Sequence, residues 1–359
     1  MQWKTLTSLL TTFIFLTMLA FIPATSGEET KTPSSQQTQT DNQKLTITLQ
    51  ALIDSAEPGT SIQLPSGTIQ EILSINKPLT IKGNTTEPTV LNTISAPNGY
   101  AIHITAEGVT LSNLEIINQA TGLYTTGAKI SADHTTIEHC TFHHTPIGIA
   151  LWSSQNTISD CVFHNCSDEG IVLLGTPNNF CSNNTITTSL FTNNCDGIEL
   201  QFATNNHITT CYFTSNTHAG IDAIESDNNH NTITHCTFTD NKAFGLYLAR
   251  STQNLISHCV FSNDTLALTH SPENKVFHSQ LQHIQLLDES TLILDQYNDT
   301  VSETLITEQS SFKTGNAPQD QTINSEKIYT ARYHLILIML LSYLKTLRTF
   351  ADQLTQARM

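Results

Sequence analysis

Residues 206–240, NHITTCYFTSNTHAGIDAIESDNNHNTITHCTFTD, hold one unit of a pattern and the start of the next. Ile208 is followed three positions later by Cys211 and five positions later by Phe213; Ile233, Cys236 and Phe238 repeat the arrangement. The spacing recurs at Leu111-Leu114-Ile116, Ile137-Cys140-Phe142, Ile158-Cys161-Phe163, Ile186-Ser189-Phe191, Ile256-Cys259-Phe261 and Val276-Ser279-Leu281, with starts 20 to 28 residues apart. Such a period marks a solenoid, in which each unit is too small to bury its own apolar face and stacks on its neighbours.

Within a strand, residues two apart face the same side, so the middle and last members of each triplet point inward together. Cys140, Cys161, Cys211, Cys236 and Cys259 therefore read as a buried stack of thiols acting as small hydrophobes, not as disulfide partners. Cys166, Cys181 and Cys195 fall outside that column; Cys166 and Cys195 occupy similar turn positions on neighbouring coils, and the sequence leaves open whether they pair. A second short strand in each unit is led by glycine, at Gly122, Gly148, Gly170, Gly197, Gly220 and Gly245. These glycines are expected at corners needing positive φ. Asn156, Asn184, Asn206, Asn231, Asn254 and Asn274 precede the aliphatic position by two residues, and stacked amides at a turn can hydrogen-bond along the coil axis.

The expected fold is all-β: a single-stranded right-handed parallel β-helix of about 8–10 coils. A leucine-rich repeat would need a leucine framework and helical returns, and neither is present. The open end of a β-helix needs a cover. Leu49, Leu52, Ile53 and Ala56 have helical spacing and Pro58-Gly59 ends the run, which gives an N-terminal capping helix.

Residues 49–84 resemble the opening segment of secreted right-handed β-helix proteins of the NosD-like, carbohydrate-binding and sugar-hydrolysis (CASH) group in the pectate-lyase-like superfamily. The shared features are the capping helix, the Pro-Gly turn, the strand to Leu64-Pro65-Ser66-Gly67, and Ile75-Asn76-Lys77-Pro78-Leu79-Thr80-Ile81-Lys82-Gly83. With the repeats, the resemblance covers roughly residues 45–285 and implies the fold. Its members range from polysaccharide-cleaving enzymes to proteins without established chemistry. Elements of the polygalacturonase type are absent, and Asp133-His134 lacks the surroundings found in Asp-His pectate lyases, so no catalytic residue transfers.

Outside the repeats, Lys4 precedes the apolar run Leu9–Ile22 and small residues follow to Gly27, the pattern of a secretory signal over residues 1–26. A flexible linker is expected over 27–44, the β-helix over 45–300, a polar linker over 301–327, and an apolar C-terminal helix over 328–359. For that last segment a packed cap and a weak membrane anchor both fit. A secreted, cell-surface or envelope location follows, with the membrane a partner only through the tail. The formal net charge of -16 disfavours nucleic acid and anionic membrane surfaces.

Aligning the glycine-led strands exposes an outward column of Tyr124, Ala150, Val172, Glu199, Asp222 and Tyr247. Asp168, Glu169, Asp196 and Glu225 lie close to its two acids. Paired carboxyls can act as acid and base on a glycosidic bond, with roles drawn from Asp196, Glu199 and Asp222. Tyr247 can stack on a sugar ring, Arg250 can meet a uronate, and Glu169 and Glu225 can complete the substrate contacts. The same carboxylates suit Ca²⁺. A second outward column contains His235, His258 and His278 on consecutive coils, a candidate copper or zinc site; the NosD-like resemblance implies copper-site assembly. Three alternative functions follow: binding of a polysaccharide, with its cleavage by a hydrolase or lyase reaction left open; a non-catalytic surface or adhesion solenoid; or metal handling in the envelope.

Overall fold

The computed structural model describes residues 48–224, 227–295, 303–307 and 309–314. Both termini, and with them the expected signal, the first linker and the apolar tail, lie outside the described residues. Three parallel sheets of 12, 9 and 11 strands run the length of the solenoid, which makes about 11 coils. One coil contributes Thr185–Thr187 to the first sheet, Leu190–Thr192 to the second and Asp196–Gln201 to the third. The expected parallel β-helix is the observed fold. Strands Glu303–Ile306 and Ser311–Thr314 pair with His283–Leu287 and Thr291–Leu294, so coiling continues into the stretch expected as a polar linker.

The inward triplets set the register. Ile137, Ile158, Ile186, Ile208, Ile233 and Ile256 pair in series, as do Phe142, Phe163, Phe191, Phe213, Phe238 and Phe261. The six phenyl rings form one stack with centroids 4.5–5.1 Å apart. That spacing equals the distance between adjacent strands, about 4.8 Å, so ring stacking and strand pairing favour the same rise. The Cys column is buried throughout, with each thiol donating to a carbonyl, as Cys211 does to Ile186 O and Thr209 O.

One expectation is corrected by the glycines. Gly148, Gly170, Gly197, Gly220 and Gly245 do not take positive φ; of that column only Gly122 does. They are needed for close packing: a Cβ on Gly220 would stand 2.6 Å from Gly245 O and 2.8 Å from Phe238 Cδ1. Left-handed corners are instead occupied by ordinary residues, with φ of 50–56° at His139, Asp160, Thr188, Thr210, His235, His258 and His278. Cys166 and Cys195 are both free. They stand in different columns, because the residue stacked on Cys166 is Asn194, whose Oδ1 accepts from its N–H.

The asparagine column forms as expected, each Nδ2 donating to the next Oδ1 from Asn156 through Asn184 and Asn206 to Asn231. A second amide ladder runs Asn194, Asn216 and Asn241, and ends on Asp264. The capping helix spans Leu49–Ser55, with the Thr48 hydroxyl accepting from Ala51 N–H and Leu49 and Ile53 buried. Leu52 turns outward, 41% exposed. Among the described residues no helix is long and apolar enough to cross a membrane.

Candidate functional site

The outer side of the third sheet carries the acidic residues. Val172, Glu199, Asp222 and Tyr247 stand in register on four successive coils, and Glu169 pairs with Asp196 one column away. Below Ala150 the column holds Lys129, not the expected Tyr124. Tyr124 lies in the turn before Thr126–Ile130, where Gly122 takes φ +118°, and it is well exposed.

Glu199 and Asp222 are outward by register and still buried, as are Glu169 and Asp196 at the starts of their strands. Glu199 is 9% exposed, Glu169 6%, Asp196 5% and Asp222 4%. Ile147, Ala150 and Val172, with Leu174 against them, form a small apolar cluster on the same face one to two coils away. Burial disfavours the ionised form of a carboxyl, and adjacent carboxylates add to the effect. Burial, with Glu199 and Asp168 beside it, holds Glu169 well above the ordinary carboxyl range. Asp222 is raised by burial and then by Asp196. Burial also raises Asp196, against the opposing pull of His218. Glu199 is raised by burial, while hydrogen bonds from Gln201 and Glu169 oppose the shift. Glu199 also accepts a hydrogen bond from the Gln201 amide.

His218 is the group the sequence reading missed. It lies two residues before Gly220, and its Nδ1 stands 2.9 Å from Asp196 Oδ1 and 3.4 Å from Asp222 Oδ2. The same Asp196 oxygen accepts the Ala219 N–H at 2.7 Å. A ring nitrogen between two carboxylates carries the proton and donates. The side chain of His218 is 41% exposed, so it is the accessible member of the cluster. Its ring meets Phe244 edge-on at 6.0 Å, and Phe244 stacks on Tyr247 at 4.9 Å. Buried Glu169 Oε2 and Asp222 Oδ1 have no hydrogen-bond partner.

Other expected contacts are placed differently. Glu169 lies beneath the site as the proton-bearing neighbour of Glu199 and not on its surface. Arg250 is exposed at a corner with φ +48°, and among the described residues no ion pair ties it to the acids. Glu225 lies outside the described residues.

The histidine ladder exists as a stack. His235 and His258 lie 4.8 Å apart with planes within 6°, and His278 follows at 5.0 Å, tilted 54°. His278 also meets Asp295 at 3.3 Å. The His235 and His258 rings direct their nitrogens in parallel, and among the described residues the three histidines do not bring their nitrogens to one point. Among the described residues only Asp196, His218 and Asp222 bring three ligand atoms within 4.8 Å of one another. A further histidine group, unforeseen in the sequence, joins Glu115 to His143 at 2.8 Å and His143 to His144 at 2.6 Å, with His164 stacked on His143.

No curated protein matches the sequence. Among solved structures the chain is similar to the Agl-KA catalytic domain at 14% identity and a TM-score of 0.50, covering 70% of this chain and 62% of that one. It is similar to the GH136 lacto-N-biosidase of Eubacterium ramulus at 10% identity and 0.50, covering 72% and 61%. It is also similar to pectate lyase Pel9A at 15% identity and 0.46, covering 77% and 78%. The chain thus spans less than two thirds of the first two, and likeness at such identity is likeness of fold. The family described as right handed beta helix region matches residues 79–229 and 130–281, more than half of the sequence, and the protein belongs to that family.

Proposed function

We propose that the protein binds and cleaves a polysaccharide at the acidic station on the third sheet. One observation carries the reading: on three consecutive coils, Glu199, the Asp196–His218–Asp222 group and the Phe244–Tyr247 pair lie side by side on one outer face. Glu199 is the most exposed of the four buried acids and carries the Gln201 amide beside it, which makes it the carboxyl placed to exchange a proton with a sugar or a water. The aromatic pair offers a flat face for a sugar ring, and His218 is the polar group a glycan meets first. Elongated solenoid surfaces suit polymers, since successive coils repeat at about 4.8 Å.

The lacto-N-biosidase is named for an activity on a glycan; that likeness supplies the fold, and the station supplies the chemistry. The proposal includes export, on the Lys4 and Leu9–Ile22 pattern, and placement in the NosD-like CASH group, on the Ile75–Gly83 segment. A glycan array followed by a reducing-end assay tests it. Glu199→Gln should lower turnover about 10²- to 10⁴-fold, the usual span for losing a proton-transferring group. Binding and cleavage that survive Glu199→Gln and Tyr247→Ala would remove this face from consideration.

A further inference from the structure

We propose that Asp196, His218 and Asp222 bind one divalent ion of the Zn²⁺ class. The three ligand atoms are already gathered: His218 Nδ1 lies 2.9 Å from Asp196 Oδ1 and 3.4 Å from Asp222 Oδ2, and all three fall within 4.8 Å. Around an ion bound at about 2.0–2.2 Å, neighbouring ligand atoms stand roughly 3–3.5 Å apart, so little movement is needed. The ligands come from two adjacent coils held by the Phe stack and the strand ladder, which fixes their spacing. The Ala219 N–H bond to Asp196 orients that carboxylate, as outer partners of metal ligands commonly do.

A second observation points to a ligand independently of that geometry. Asp222 Oδ1 is buried without a hydrogen-bond partner in a residue only 4% exposed. A buried lone pair without a donor is costly, and an ion held by both oxygens of the Asp222 carboxylate removes the deficit. Charge balance agrees. Asp168, Glu169, Asp196, Glu199 and Asp222 crowd together, and among the described residues His218 is the only basic side chain paired with them. The imidazole selects the kind of ion. Ca²⁺ takes six to eight oxygens, whereas one nitrogen with two carboxylates suits Zn²⁺ and leaves a coordination position open to water or a sugar oxygen. Exposure of His218 supplies the approach from solvent.

The inference goes beyond the glycan reading and is tested without sugar. The full chain, stripped with chelator, is titrated with Zn²⁺ alone by calorimetry, and with Co²⁺ by its visible absorption. One equivalent of Zn²⁺ should bind and raise the melting temperature. His218→Ala and Asp222→Asn should each weaken binding at least about tenfold. His258→Ala should leave it unchanged. Asp222→Asn preserves side-chain shape, so a melting curve in the absence of metal separates loss of a ligand from loss of the fold. Absence of saturable one-to-one binding, binding indifferent to both substitutions, loss on His258→Ala instead, or Ca²⁺ binding as tightly as Zn²⁺ would each overturn the proposal. None of these outcomes depends on whether Glu199→Gln alters glycan cleavage.

Discussion

The acidic station and the histidine ladder are built from the same repeat, yet one converges and the other does not. In the ladder, His235, His258 and His278 occupy one corner position on successive coils with ring centroids 4.8–5.0 Å apart, the first two stacked and the third tilted. Translation along the axis copies a side chain's direction with its position, so a single column yields a stack. The station draws on three positions of the third-sheet strand: the residue before it (His218), its first residue (Asp196) and its outward centre (Asp222). Side chains leaning from different columns meet at a point. Convergence in a solenoid therefore requires a break in the repeat, here a histidine where neighbouring coils carry Cys195 and Ala243.

If that contrast holds, the station depends on the coil spacing beneath it and the ladder much less so. Gly220 supplies the largest test. An alanine Cβ there would press against Gly245 O at 2.6 Å and the stacked Phe238 ring at 2.8 Å, neither of which can retreat cheaply. Gly220→Ala should cost about 1–3 kcal/mol in a denaturant melt, the range for overpacking a filled core. It should also weaken Zn²⁺ binding by shifting His218 and Asp222 relative to Asp196. Wild-type stability and affinity together would break the link between glycine packing and the station.

An effect confined to one pH range is expected at a further buried acid, Asp264, outside the station. Each amide of the second ladder donates to a phenylalanine carbonyl on the preceding coil: Asn194 to Phe163, Asn216 to Phe191, Asn241 to Phe213. By the repeat, the side chain of residue 264 faces the Phe238 carbonyl, but an ionised Asp has no proton to donate. Asp264 Oδ1 is accordingly buried without a partner, and burial lifts the carboxyl to about 6. The folded state then holds its proton more tightly than the unfolded chain, so stability falls as pH rises from about 4 to about 6 and stays lower above. Asp264→Asn should remove that fall and stabilise the protein by about 1–3 kcal/mol at pH 7, with no gain below pH 4. Melts of both proteins across pH 3–8 check the sign; parallel curves would refute it.

The inward half of this architecture is legible in the sequence because it is strictly periodic. One Ile-Cys-Phe triplet predicts its copies, and they fix the register that places Glu199 beside Asp222. His218 escaped because the outward position was sought between two apolar residues. The residues two before each glycine, Pro146, Asp168, Cys195, His218 and Ala243, form a column of their own linked by backbone hydrogen bonds. The second amide ladder had an equally simple mark, Asn three residues after Phe at 194, 216 and 241. Burial of the outward acids had none. Alternation assigns a side chain to a face and says nothing of how much water that face retains.

The smallest effect belongs to the ladder and completes the contrast. His258 sits at a left-handed corner with φ +54°, a conformation asparagine accepts more readily than most residues. His258→Asn therefore trades ring contacts with His235 and His278, of order 0.5–1.5 kcal/mol for stacked aromatic pairs, against easier backbone geometry. The net change in stability should be about 1 kcal/mol or less, and both Zn²⁺ stoichiometry and glycan cleavage should match wild type. A ladder that served only to stack would tolerate this exchange. Loss of metal binding would mean that the parallel imidazoles rotate out of their stack to meet an ion, and convergence would then no longer require side chains from different columns.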